Sequence, residues 1–128
     1  MDLPVIEKRI TLEKMRRYTG GGPGIHTDDE FARKKGLPGA VVQGGQVVGY
    51  LNEMMLRALG QGYVEGGEIS VVFVKSALAG DTLYTRGTVK EERQTNGRAQ
   101  IEYEVWVENQ RGEKLAVGNA SGLLPQGR

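Results

Sequence analysis

The stretch VVQGGQVVGYLNEMMLRALG, residues 41–60, is the longest helical candidate in the chain, and its reading decides the fold. Val47, Val48, Tyr50, Leu51, Met54, Met55, Leu56 and Leu59 occupy most of the helix circumference, with Asn52, Glu53 and Arg57 as the exceptions. At 1.5 Å per residue the segment is about 30 Å long, and its apolar coverage predicts a buried central helix. Gly44 and Gly45 stand near its start, where each costs about 1 kcal/mol relative to alanine. Two compensations are open: close packing of helix against sheet, or bare N–H groups at the helix N-terminus that approach a ligand oxygen.

Downstream of Gly67 the apolar period becomes two. EISVVFVKS (68–76), DTLYTRGTVKEERQ (81–94), RAQIEYEVWVENQ (98–110) and EKLAVGNASGLL (113–124) read as successive strands, with tight turns at Asn96-Gly97 and Arg111-Gly112. In the third, Ile101, Tyr103, Val105 and Val107 point one way while Gln100, Glu102, Glu104, Trp106 and Glu108 point the other. One face therefore meets a core and the other meets water, and Trp106 on the polar face requires cover. A long apolar helix and a sheet with one apolar face pack economically when the sheet curls around the helix, which predicts the α+β class.

Upstream, PVIEKRIT (4–11) alternates as a short strand, and Thr11 offers an N-cap to a helix LEKMRRYT (12–19). That helix ends in Gly20-Gly21-Gly22-Pro23-Gly24, where the backbone is free to take positive φ. Thr27 and Glu30 form a capping-box pattern, with Asp28 and Asp29 in the first turn and Arg33, Lys34 and Lys35 in the last, predicting a second helix over 28–35. Gly36, Pro38 and Gly39 then punctuate the chain, and PQGR (125–128) reads as a loose tail.

The 128 residues suit one domain over 1–128, long enough to bury about two-thirds of the unfolded surface. The absence of cysteine excludes disulfides, thiolate nucleophiles and cysteine-bound metal clusters, and fits a reducing compartment. MDLPVIEKR lacks the apolar core of a signal peptide, and no run has membrane-spanning length, so a soluble, cytoplasmic protein is expected. Seventeen basic residues against sixteen acidic ones, interspersed, imply no nucleic-acid surface. The clusters KMRRY (14–18) and ARKK (32–35) read as solvated helix faces.

Several motifs fail on inspection. The glycine cluster is not G-x-G-x-x-G, because position 25 is Ile, and no glycine-lysine-Ser/Thr follows for a phosphate loop. GNASG (118–122) has its serine off-centre inside a late strand, which argues against a nucleophile elbow. One histidine leaves a metal site to carboxylates, and Asp28, Asp29 and Glu30 serve better as helix caps, so neither metal nor cofactor is expected. His26 remains, the one side chain whose unperturbed pKa lies near neutrality. On spacing alone it reads as a surface histidine before a helix, and the glycine bend would equally allow it into a cleft.

The segment from YTGG (18–21) through GIHTDDEFARKKGLPGAVVQGGQVVGYLNEMM (24–55), followed by GGEISVVFVKSALAGDTLYTRGTV (66–89), resembles the MaoC-like dehydratases, hot-dog proteins that include the (R)-specific enoyl-CoA hydratases. The resemblance runs in order over most of the chain. It rests on the histidine before an acidic helix start, on the glycines opening the long helix, and on AGDTL (79–83) in place of the family's proline-valine-x-x-glycine-aspartate turn. It implies a long helix wrapped by an antiparallel sheet, a homodimer, and an acyl thioester of CoA or acyl carrier protein as substrate.

Carried over, it makes His26 the general acid/base and the Gly44 N–H the oxyanion donor, with Tyr18, Gly21, Ile25, Gln43 and Gly45 around the substrate. The family's aspartate, five residues before the histidine, is here Gly21. Pro23-Gly24 replaces its asparagine-proline, and Gln43 its second histidine. The implied reaction is hydration or dehydration with His26 acting alone or with a carboxylate such as Glu53 or Asp29. A different proton transfer at the α or γ carbon, a thioesterase and a non-catalytic acyl-binding subunit are the alternatives on the same fold.

Overall fold

A computed structural model describes residues 1–125, the side chain of Thr95 excepted. The elements are β1 (Ile6–Arg9), α1 (Leu12–Thr19), α2 (Asp29–Lys34), α3 (Gly44–Leu59), α4 (Gln61–Gly66), β2 (Glu68–Phe73), β3 (Thr82–Thr95), β4 (Arg98–Glu108) and β5 (Lys114–Leu123). The five strands form one antiparallel sheet in the order β1-β3-β4-β5-β2, so β1 and β2 are its edges. Register shifts between Val89 and Glu91 and between Val107 and Glu108 mark the irregularities that help such a sheet bend.

The sheet curls around α3. On the helix Val47, Leu51, Met54, Met55 and Leu59 are buried at helical spacing, and they share one core with Leu83 of β3, Ile101, Tyr103, Val105 and Val107 of β4, and Leu115 of β5. The helix is less buried than its apolar coverage predicts: besides Arg57, one of the expected exceptions, Gly49 and Leu56 are exposed, Leu56 to 43%. A sheet covers one side of a helix, so the remaining stripe faces outward. The helix also starts later than Val41, because Val41 bridges to Leu78 and the Val42 N–H donates to the Ala77 carbonyl at 2.8 Å. Gly60 ends it with φ +56°, its N–H donating back to the Leu56 carbonyl.

The face assignment of β4 holds along its length. Trp106 finds its cover in Lys114, whose Nζ stands 4.8 Å from the ring centroid, and in Glu108, which accepts from the indole Nε1 at 2.9 Å. Tyr103, on the buried face, donates its hydroxyl to the Met1 carbonyl at 2.7 Å, and burial pushes its pKa up to about 12. Asn96 and Gly97, at φ +51° and +79°, make the two-residue turn joining β3 to β4. The second turn is longer than the tight hairpin expected: Asn109 is buried, and its Oδ1 accepts from the N–H groups of Arg111 and Glu113.

Two helix starts differ in detail. Thr11 caps α1 as expected, accepting from the Lys14 N–H at 3.1 Å. Thr27 does not cap α2. Asp28 does, accepting from the Phe31 N–H at 3.1 Å, and the helix begins at Asp29. A carboxylate only accepts hydrogen bonds, whereas the Thr27 hydroxyl can donate, and it donates to the Gly22 carbonyl. The short helix α4 has no counterpart in the sequence reading, because its two glycines mask any periodicity. Of the expected tail 125–128, everything beyond Pro125 lies outside the described residues.

The facing of α3 is testable by denaturant unfolding. Leu51→Ala should cost about 3 kcal/mol through the cavity it leaves, whereas Leu56→Ala, at the exposed stripe, should cost under about 1 kcal/mol. Equal costs would contradict this packing.

Candidate active site

The bend that carries His26 is built from three consecutive glycines, Gly20, Gly21 and Gly22, with φ +87°, +85° and +83°. The buried Thr27 holds this bend from inside, its hydroxyl on the Gly22 carbonyl and its own carbonyl accepting from Arg16 Nε at 2.9 Å. Ile25 and His26 are thereby laid along Val41. The Val41 N–H donates to the Ile25 carbonyl at 2.9 Å, and the Val41 carbonyl lies 2.8 Å from His26 Nδ1. A carbonyl accepts only, so Nδ1 carries a proton in this contact, and in the neutral ring Nε2 is the basic nitrogen.

His26 lines a cavity of about 410 Å³ at the N-terminal end of α3. Gly44 and Val47 line it from the helix, Phe73 and Lys75 from the end of β2, and Leu115 from β5. Valine, alanine and leucine side chains make most of the wall, and the polar groups are His26, Lys75 and Ser76. Gly44 and Gly45 open α3, and the N–H groups of a helix's first turn have no partner within the helix. A Cβ at Gly44 would come within 3.1 Å of the Phe73 ring, and one at Gly45 would collide with the Tyr18 hydroxyl. Close packing therefore accounts for both glycines, against aromatic side chains rather than sheet backbone, and Gly44 also lines the cavity.

Of the residues singled out by sequence, the cavity brings together His26 and Gly44. Tyr18 is 51% exposed and faces a separate depression of about 340 Å³ with Gln46, Tyr50 and Glu53. Gly45 lies against it. Ile25 acts through its carbonyl on Val41, Gln43 is exposed at the helix start, and Gly21 is exposed in the bend with nothing within 4 Å of where a Cβ would be.

Neither carboxylate considered as a partner for His26 lines the cavity. Asp29 accepts from the Ala40 N–H at 2.8 Å. Glu53 is held by Lys8 at 2.9 Å and Arg57 at 2.6 Å, and the Lys8 hydrogen bond leads the causes that keep its carboxyl below the usual range. Val41, Phe73, Lys75 and Ser76 escaped the sequence reading. Phe73, Lys75 and Ser76 were legible as strand residues and Val41 as part of the long helix, but only the fold brings the end of β2 to the His26 bend. Among the described residues no three acidic or histidine side chains lie together as a metal site.

At the cavity rim Lys75 Nζ pairs with Glu113 Oε2, while Glu113 Oε1 accepts from Asn109 Nδ2 at 2.8 Å and Arg111 Nε at 3.0 Å. These bonds, that from Asn109 foremost, bring the Glu113 carboxyl down to about 2.

A helix end, a pinned imidazole and an apolar cavity under a curled antiparallel sheet describe a hot-dog protein with a cavity at the mouth of its central helix. The sequence profile of the MaoC like domain matches residues 4–112, and the chain belongs to that family. No curated protein sequence matches it. Its fold is similar to that of the R-hydratase PhaJ1 from Pseudomonas aeruginosa, at 18% identity and TM-score 0.79 over 98% of this chain and 81% of that one. A MaoC-like dehydratase from Rhodospirillum rubrum matches at 19% identity and TM-score 0.77, over 100% and 94% of the two chains. A chain of the ChsH1-ChsH2 complex from Mycobacterium tuberculosis matches at 15% identity and TM-score 0.79, over 98% and 96%. No helix among the described residues is long and apolar enough to cross a membrane.

The lowered Glu113 pKa sets a pH signature. A carboxyl depressed on folding stabilises above its unfolded value near 4.5, and that contribution is lost as pH falls toward 2. The melting-temperature advantage of the parent over Glu113→Gln should be constant from pH 7 to about 5 and fade between there and pH 2. A pH-independent difference would refute the assignment.

Proposed function

We propose that the protein is an acyl-thioester lyase of the enoyl hydratase/dehydratase kind, with His26 as general acid/base and the Gly44 N–H as oxyanion donor. The observation that carries this reading is that His26 and Gly44, the first residue of α3, line one largely apolar cavity. In hydration, His26 Nε2 takes a proton from water as the oxygen bonds to the β carbon. The double-bond pair moves toward the thioester carbonyl, whose growing charge meets the Gly44 N–H. The protonated ring then returns its proton to the α carbon, on the face from which the oxygen arrived. Dehydration is the reverse, and no redox change occurs.

Ile25 serves this site by positioning Val41, whereas Tyr18, Gly21, Gln43 and Gly45 do not line the cavity. Gly21 stands where the resemblance expects an aspartate, and at φ +85° it adopts a backbone conformation that side chains resist. Gly21→Asp should therefore lower stability by about 1 kcal/mol and bring no gain in hydration. A large gain would overturn this account of the bend.

A second reading, an acyl-binding subunit of a larger assembly, is favoured by one observation: no carboxylate lines the cavity among the described residues. A homodimer in the cytoplasm is the expected setting for either. The edge strand β2 with its exposed Val72, Phe73 and the following Val74 supports pairing, and a strict monomer in gel filtration would count against it.

The deciding experiment follows the ultraviolet absorbance of a short trans-2-enoyl-CoA together with free thiol. A lyase consumes the absorbance without releasing thiol, and His26→Ala should lower kcat/KM by about 10²–10⁴-fold. Thiol release would mark a thioesterase. Ligand-induced thermal stabilisation without turnover would mark a binder.

A further inference from the structure

We infer that the acyl group taken by this cavity carries its own carboxylate, which Lys75 binds. The inference rests on the reading of the cavity as an acyl-thioester site and names the substrate class.

It comes from the charges that border the cavity. Its titratable lining residues are His26 and Lys75, both positive when charged, and the rest of the wall is apolar apart from Ser76 and backbone. A cation beside an apolar wall, with no acid in the lining, attracts an anion more strongly than the same cation in water. Lys75 is anchored by its backbone, since the N–H groups of Val74 and Lys75 both donate to the Leu115 carbonyl, at 2.8 and 3.3 Å.

Its ammonium is not similarly committed. The Lys75–Glu113 pair is half-exposed on the lysine side, and exposed pairs of this kind are weak. Glu113 keeps its Asn109 and Arg111 donors when Lys75 leaves it, so an exchange of partners strands no buried charge. The ammonium can therefore turn to a ligand anion. Ser76, next in the chain, lines the same wall and offers a hydroxyl beside it.

A cavity of 410 Å³ is roughly 10 Å across. Gly44 and Lys75 both line it, so an anion that meets Lys75 while the thioester carbonyl rests at Gly44 is within the reach of a short acyl chain. The phosphates of a CoA or carrier-protein arm lie beyond the pantetheine, which is longer than that span.

The test uses thioesters of N-acetylcysteamine, which lack the carrier's phosphates. Dissociation constants of the unreactive succinyl and butyryl thioesters are measured by calorimetry on the full chain, its Lys75→Met variant and its Lys75→Arg variant. Turnover of the trans-butenedioyl and crotonyl thioesters is followed in parallel. The succinyl thioester should bind at least ten-fold more tightly than the butyryl. Lys75→Met should bring the two within about two-fold, and Lys75→Arg should retain most of the preference.

Equal binding, tighter butyryl binding, binding of neither thioester, or a preference that survives Lys75→Met would each overturn the inference. So would a Lys75-dependent preference for CoA over N-acetylcysteamine esters with no preference between acyl groups. Succinyl preference without turnover would sustain the carboxylate and remove the lyase reading. Turnover of the crotonyl ester with no carboxylate preference would do the opposite.

Discussion

The burial of one stripe of α3 against β4 is the constraint from which the rest of this structure follows. Val47, Leu51, Met54, Met55 and Leu59 each contribute roughly 2 kcal/mol by leaving water, and they can do so together only if the sheet bends around them. The strands curl, one side of the helix is covered along its length, and its N-terminal end is left open beside the end of β2. The cavity forms there because the packing that seals the middle of the helix does not reach its first turn.

A second constraint sets what faces that cavity. Residues 40–42 form a short extended strip held from both sides. Ile25 and His26 take the two polar groups of the Val41 peptide, while Ala77 and Ala79 pair with Val42 and Ala40. The imidazole is thus oriented by the same peptide that leads into α3. His26 bonds to the carbonyl of Val41, which stands three residues before Gly44, and so a histidine in an irregular segment holds a definite place.

The carboxylates near this region are all engaged in holding backbone or countering cations. Asp28 caps α2, Asp29 holds Ala40, Asp81 accepts from the Leu78 N–H and from Gln110, and Glu113 ties the turn before β5. None of these carboxylates lines the cavity, and Glu113 meets it only through its pair with Lys75. The same bend that presents His26 denies Gly21 a conformation suited to a side chain, so the lack of an acid follows from the local backbone.

Much of the architecture was legible in the residues. The period-two pattern of 98–108, the Asn96-Gly97 turn and the Thr11 cap are local signals, and local backbone preference plus amphipathic spacing suffices to read them. The helix at 44–59 was legible too, but its burial on one side was not, because an apolar circumference does not say how far a sheet will reach. Thr27 and Asp28 compete for the same cap, and only the presence of the Gly22 carbonyl across the bend decides between donor and acceptor. For the site, sequence marked His26 and Gly44. That they share a cavity, that Lys75 and Ser76 join them, and that Asp29 and Glu53 do not, depends on contacts between segments 15 to 70 residues apart. Chemistry-bearing residue types are written in the chain, but which of them meet is set by long-range packing.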